Sequence, residues 1–154
     1  MKKVFSFIFY LILNFSGLYL GALLSGEGAS SDWYQNLDKA PWTPPGWVFG
    51  FAWTSIMVCF SLYMTELHMK VKNKKNLIPL YALLWTVNLS WNPFFFYFHH
   101  VWISMAIILF LLFLTLYSFF KYFPIIKHKS WLISPYYVWL IIACSLNAFV
   151  CIVN

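Results

Sequence analysis

The sequence contains no arginine and few charges of any kind: Asp, Glu, Lys and Arg make up 9% of its 154 residues. A soluble domain carries about 25%. A water-soluble fold of this size could not hide the apolar surface of a chain that is 62% hydrophobic, so lipid is the solvent for most of it. Cysteine is scarce as well. Cys59, Cys144 and Cys151 all lie inside apolar runs, with no CxxC pair and no Cys/His cluster. An odd number of such cysteines argues against a disulfide framework, and nothing suggests zinc, so no metal is expected. No Asp, Glu or Lys occupies the middle of any apolar run; Glu66 stands at the end of one. Ion pumps, proton relays and carriers of charged substrates rely on intramembrane ionisable groups. General acid–base chemistry needs them too, which argues against hydrolysis or group transfer in the bilayer core.

What charge there is carries information. The net charge of +6 comes entirely from lysine, in short segments between apolar runs. Lysines so placed are topology signals rather than a nucleic-acid surface, and no nucleic-acid partner is expected. A membrane helix needs roughly 20 apolar residues. Five runs qualify: 4–24, 47–67, 77–98, 101–122 and 131–153, with 25–46 the longest connection. The chain is therefore read as an all-α integral membrane protein, a five-transmembrane-helix bundle forming one domain over 1–154. Lys2 and Lys3 before the first run resemble the start of a signal peptide, but the apolar run is longer than such peptides carry, so it is read as a retained span.

With five spans, the N-terminus and the second and fourth connections share one face. That face holds nine of the ten lysines; the other holds Lys39 with Glu27, Asp32 and Asp38. The imbalance predicts a multi-pass protein of the cell membrane, with a cytoplasmic N-terminus and with the C-terminus and the 25–46 loop external. Prolines fit this division. Pro44 and Pro45 precede the second span, Pro79 and Pro135 stand in first turns, and Pro124 is expected to close the fourth span. Pro93 lies inside the third, where it should bend the helix. Gly17 and Gly21 form a GxxxG pair that suits close helix contact, within the bundle or across a dimer.

The 25–46 loop is not filler. Ser31 or Asp32 is placed to cap a short helix running to Lys39. Pro41, Pro44 and Pro45 stiffen the stretch between that helix and the second span, and Trp33, Tyr34, Trp42 and Trp47 add large rings. This composition suits a lid over the bundle mouth and suits an interfacial aromatic belt equally. Within the spans, neutral polar residues stand beside indoles: Trp53, Thr54 and Ser55; Asn88, Ser90, Trp91 and Asn92; Trp139, Ser145 and Asn147. Asn88 and Trp91 share a helical face, and Trp139, Ala143 and Asn147 form one stripe with Ala143 leaving space. At 1.5 Å per residue, Trp53 lies about 10 Å below the external end of its helix. These groups either line a cavity for a flat, apolar molecule with a few polar atoms or simply bond helices together. His68 and His128 fall on the lysine-rich side and are expected to be solvated; His99 and His100 fall in a tight external turn.

Taken together, these residues resemble the tryptophan-rich sensory protein family, also called the translocator protein or peripheral benzodiazepine receptor family (TspO/MBR). The resemblance covers nearly the whole chain. It is carried by Trp33-Tyr34, Leu37, Lys39, then Pro41-Trp42-Thr43-Pro44-Pro45-Gly46-Trp47-Val48-Phe49-Gly50 and Trp53. Further motifs are Asn88, Trp91, Asn92-Pro93 and Phe95-Phe96, then Pro135-Tyr136, Trp139, Ala143 and Leu146-Asn147. The resemblance implies a five-helix receptor or sensor, commonly a homodimer. It implies binding of porphyrins (protoporphyrin IX or haem) and of benzodiazepine-type or isoquinoline ligands, with no cofactor required. Tyr34, Pro44, Trp53, Asn88, Trp91, Trp139, Ala143 and Asn147 would surround the ligand, and Trp53 and Asn88 would donate hydrogen bonds to it. Two alternatives come with it: light-dependent porphyrin breakdown, in which Trp53 and Trp139 would be the reactive residues, or tetrapyrrole or sterol transport. The chain also departs from the pattern. Ala40 replaces a proline, no acidic residue occurs early in the fourth span, and no Tyr-then-Lys/Arg pattern closes the fifth, so sterol binding through that motif is not implied.

Overall fold

A computed structural model describes all 154 residues. Five long helices and one short one account for most of the chain: α1 Lys2–Leu24, α2 Asp32–Asn36, α3 Gly46–Lys70, α4 Leu77–Asn92, α5 Val101–Ile126 and α6 Ser134–Val153. There are no strands. Three helical stretches are long and apolar enough to cross a bilayer, Lys2–Ser30, Gly46–Lys70 and Val101–Val153. The last of these is α5 and α6 joined by a 3-10 segment, Lys127–Ile133, and so makes two crossings. The fifth crossing is α4 extended by the π turn Pro93–Tyr97, a length of about 30 Å at the helical rise. The protein is a five-span helical membrane bundle, as the apolar runs predict.

Several boundaries differ from the sequence expectation. The third span does not continue as an α-helix to Phe98. It widens at Pro93, where the Phe98 N–H reaches back five residues to the Pro93 carbonyl (2.9 Å). Proline removes a donor and crowds the preceding turn, and a wider turn absorbs both. Pro124 does not close α5; the helix runs two residues further and reverses at Lys127, whose φ is 53°. The last helix starts at Ser134 rather than Trp131, which puts Pro135 in its first turn.

Around the bundle the helices neighbour one another in the order α3, α1, α4, α5, α6, with α6 returning to α3. Packing is uneven along the axis. In α3 the buried residues run from Ile56 to Leu67 and none lies between Gly46 and Ser55; in α4 they are Leu77, Leu80, Tyr81 and Leu84. For α3 and α4 the core therefore lies in the lysine-rich half, where Tyr63, Leu67, Ile126 and Ile133 belong to it, while α5 and α6 remain buried toward the other end at Ser104, Ile108, Asn147, Val150 and Cys151. Lipid tails are as apolar as these side chains, so the helices are held by close packing and internal hydrogen bonds rather than by escape from water. The polar links are present. Asn14 donates to the Ser61 hydroxyl (2.8 Å) and accepts from the Tyr81 hydroxyl (2.9 Å), and the Tyr63 hydroxyl donates to the Ser118 carbonyl (2.9 Å). At the end of this half, Glu66 receives Lys3 of α1 on one carboxylate oxygen (2.5 Å) and Lys129 on the other (2.8 Å). His68 is not free in solvent as expected. Its ring nitrogens lie 3.0 Å from the Tyr10 hydroxyl and 2.9 Å from the Lys74 ammonium.

The glycine pair works inside the bundle. A Cβ on Gly17 would lie 2.7 Å from the Trp85 indole nitrogen, and one on Gly21 the same distance from the Asn92 amide, so both residues let α4 approach α1. That approach allows the Trp85 N–H to donate to the Leu13 carbonyl (2.9 Å). Gly17→Val is predicted to displace Trp85 and lower stability by about 1–3 kcal/mol, the range for overpacked interiors. A thermal melt in detergent monitored by circular dichroism checks this; an unchanged melting temperature would show that α1 and α4 are not in this contact.

Candidate functional site

The half of the bundle away from the lysines is splayed, and its interior is a cavity of about 580 Å³. That lies within the roughly 300–1,000 Å³ of small-molecule sites. Tyr34, Pro44, Trp53, Asn88, Trp91, Trp139, Ala143 and Asn147 all lie on its wall. Each spacing argument has a counterpart in the geometry. Asn88 and Trp91 face inward from α4, and Trp139, Ala143 and Asn147 form the α6 side. Phe49, Phe95 and Phe96, which the sequence offered as motif residues but not as ligand contacts, also line the cavity, as do Ile108 and Leu111. Phenylalanine is abundant throughout the spans, so only the three-dimensional arrangement separates inward rings from lipid-facing ones.

The polar atoms on this wall fall into two classes. The Asn147 side chain is 3% exposed and its bonding is complete. Its carbonyl oxygen accepts from the Trp91 N–H (3.2 Å) and lies 3.2 Å from the Ser104 hydroxyl, while its NH₂ donates to the Val101 carbonyl (3.0 Å). Asn147 therefore ties α6 to α4 and α5. It offers the cavity a surface but no spare donor or acceptor. Trp53, Asn88, Trp139 and the Tyr34 hydroxyl differ: none of these side-chain groups bonds to the protein, and all four residues line the cavity. The indole N–H groups of Trp42, Trp85 and Trp91 are all satisfied by protein partners. In an apolar surround an unpaired amide or indole N–H is costly, so these groups persist where a cavity occupant can reach them. The Trp53 ring is held by an edge contact with Tyr136 (centroids 6.0 Å) and Trp139 by one with Phe49 (5.2 Å).

The 25–46 loop closes the end of the bundle away from the lysines. Ser31 caps α2 by accepting from the Tyr34 N–H (3.3 Å), and the helix stops at Asn36 instead of reaching Lys39. Residues Tyr34, Lys39, Ala40, Thr43 and Pro44 form the cavity roof, and Lys39 is the one charged residue on its wall. Its ammonium bonds the Gln35 carbonyl (3.1 Å) and sits 4.8 Å above the Tyr34 ring. Three ties hold the roof. Trp33 stacks on His99 (centroids 4.1 Å, planes 15° apart), where His99 adopts φ 57°. The Trp42 N–H donates to Ser145 (3.2 Å). Asp38 and Asn154 exchange two hydrogen bonds, Asp38 N–H to the Asn154 carbonyl oxygen (2.9 Å) and the Asn154 NH₂ to the Asp38 carbonyl (3.1 Å). The lid and the belt are thus different residues of one loop: Tyr34 and Pro44 cover the cavity, while Trp42 and Trp47 are exposed as an interfacial indole would be.

A model of the TspO/MBR family matches residues 7–153 of this chain. Among curated proteins, it is 29% identical to a tryptophan-rich sensory protein of Cereibacter sphaeroides over 127 residues, 82% of this chain and 77% of the relative. It is 26% identical over 151 residues to the tryptophan-rich protein TspO of Bacillus cereus, covering 96% and 94% of the two chains. A translocator protein of Bos taurus is 33% identical over 92 residues, 56% of this chain and 53% of that one.

Burial under the roof pushes the Tyr34 phenol above its ordinary value of 10.0, because a phenolate is poorly solvated there. The folded protein then holds this proton more tightly than the unfolded chain does. The contribution to stability is constant below pH 10 and falls as pH rises past it. A difference titration of phenolate absorbance between the protein and Tyr34→Phe should give a midpoint above 10. A midpoint at or below 10 would place Tyr34 in open solvent.

Proposed function

The chain belongs to the TspO/MBR family of membrane proteins, and from that premise we propose that it is a receptor or sensor holding a tetrapyrrole, protoporphyrin IX or haem, in the splayed half of the bundle. Flat benzodiazepine-type and isoquinoline molecules fit the same description. The observation that carries the reading is the pairing of an aromatic wall with polar side chains that make no bond to the protein, Trp53 and Asn88 among them, under a tied lid. Aromatic faces hold a planar ring system by offset and edge contacts. The two free groups orient it through a carbonyl or carboxylate, and Lys39 at the roof supplies one positive charge for an acidic substituent. Binding of this kind needs no residue that titrates inside the membrane.

Trp53 and Trp139 face the same cavity, which favours a second reading, light-dependent breakdown of a bound porphyrin. The oxidant would be dissolved dioxygen: an excited porphyrin held against these indoles can be oxidised by it without any acid–base pair, so the chemistry is compatible with the wall. Illumination of a purified complex separates the two readings. Loss of porphyrin absorbance faster than in free solution, and slowed in Trp53→Phe/Trp139→Phe, supports breakdown; loss at the free rate leaves the receptor.

The receptor reading is tested by porphyrin titration followed through tryptophan fluorescence. Trp53→Ala/Asn88→Ala should weaken binding at least about tenfold, since each hydrogen bond to a ligand contributes roughly 1 kcal/mol or more. Unchanged affinity would remove this site from consideration.

For orientation in the membrane we propose a cytoplasmic lysine-rich end and an external lid. The support is the nine-to-one partition of lysines, together with the Lys3–Glu66–Lys129 cluster that brings the N-terminus and the α5–α6 turn to one end. A membrane-impermeant amine reagent applied to intact cells should label Lys39 and spare Lys70, Lys72 and Lys75. The opposite pattern would invert the topology.

A further inference from the structure

At the lysine-rich end, on the outside of the bundle and away from the main cavity, lies a second depression of about 470 Å³. It is enclosed by the start of α1, the lower half of α3, and the α5–α6 turn with the beginning of α6. Its lining is divided by chemistry. Lys3, Glu66, His128 and Lys129 form the polar part, while Leu62 and Trp131 belong to the apolar part. The division follows the helix. Leu62 and Glu66 are four residues apart, so one face of α3 passes from apolar to charged as it leaves the bilayer. Trp131 is 57% exposed, an indole at the depth where such rings meet lipid headgroups.

The electrostatics leave capacity for a ligand. Glu66 is the only carboxylate in the groove, and its two oxygens are divided between Lys3 (2.5 Å) and Lys129 (2.8 Å). An ammonium has three N–H donors, so each lysine retains two after meeting Glu66. One carboxylate against two ammoniums leaves one positive charge, with the exposed Lys2 and Lys127 beside it in the chain. Glu66 thus does two things. It fixes the two ammoniums on either side of the groove, and it competes with any anion that enters.

We propose that this groove binds an acidic phospholipid, its phosphate between Lys3 and Lys129 and its acyl chain along Leu62 and Trp131. Charge selects the occupant: a zwitterionic lipid has the same apolar fit but no net charge to match the excess cation. Basic grooves on this side of membrane bundles suit acidic headgroups for the same reason. The site is independent of the tetrapyrrole reading and lies at the other end of the molecule.

The test uses the full chain in detergent, with lipid retention read by native mass spectrometry. Dioleoylphosphatidylglycerol should be retained over dioleoylphosphatidylcholine by about fivefold or more, the order expected for one lysine near an acidic headgroup. Glu66→Gln removes the competing anion and should raise phosphatidylglycerol occupancy severalfold. Lys3→Gln/Glu66→Gln/Lys129→Gln leaves no unpaired carboxylate behind and should abolish the preference. Equal retention of the two lipids overturns the proposal, and so does a preference that survives in the triple variant. Inorganic phosphate binding as tightly as phosphatidylglycerol also overturns it, because the site would then take soluble anions. Should the triple variant not remain monodisperse, Glu66→Gln decides alone: unchanged or weaker retention of phosphatidylglycerol excludes the site.

Discussion

The structure depends on α3 and α4 burying residues at one end of the bundle and not at the other. Five helices meet tightly around Tyr63, Leu67, Ile126 and Ile133, and Glu66 ties α1 and the α5–α6 turn to the same end. In lipid this cannot come from hydrophobic burial, because tails and side chains are equally apolar. It comes from many small contacts, each about 0.1–0.2 kcal/mol, and from a few internal hydrogen bonds. Two ions bracketing one carboxylate at the bilayer edge add a fixed point where water still helps to solvate them. With one end held in this way, the helices can diverge toward the other without the bundle falling apart. The cavity is the consequence of that divergence.

Each irregularity in the chain contributes to the opening. Gly17 and Gly21 draw α4 onto α1, which takes those two helices to one side. Pro93 then widens α4 into a π turn that ends at Tyr97, just before the turn where His99 stacks on Trp33. Pro41 stands in a tight turn closed by the Thr43 N–H on the Ala40 carbonyl (2.9 Å), and Pro44 and Pro45 lead from it into α3, so this stretch of the roof crosses the mouth without a helix of its own. These are places where local preference departs from an ideal helix, and departures of that kind in a membrane persist only where neighbours or a cavity accommodate them.

The sequence is most legible where one physical rule dominates. Apolar run length marks the five spans, and lysine partition separates their two ends. It is less legible where partners are far apart in the chain. Nothing local to Glu66 says that Lys3 and Lys129 meet it, and nothing near His68 points to Tyr10 and Lys74. The α4 boundary fails for a related reason: hydropathy does not distinguish an α-helix from a π turn of the same composition. The eight candidate site residues do converge, although spacing alone left them equally suited to bonding helices together. Asn88 and Asn147 show why. Both are asparagines facing inward from membrane helices, yet one has every bond made and the other has none.

That contrast defines what kind of site this is. A wall whose polar groups were all paired would be structural, and one with many free groups could not persist in an apolar interior. Here the unpaired groups are few, neutral and fixed on rigid helices, with a single cation at the roof. Such an arrangement cannot move protons between defined acids and bases at ordinary pH. It can orient a flat molecule by two or three contacts and leave the rest of the affinity to aromatic surface. Discrimination among planar ligands then rests on where their few polar atoms fall relative to Trp53, Asn88 and Lys39. The lid is tied at His99 to the turn before α5, and at Ser145 and Asn154 to two points along α6. The roof and α6 are thus one connected unit, so under the proposed receptor reading an occupant that strains the roof would disturb α6 as well.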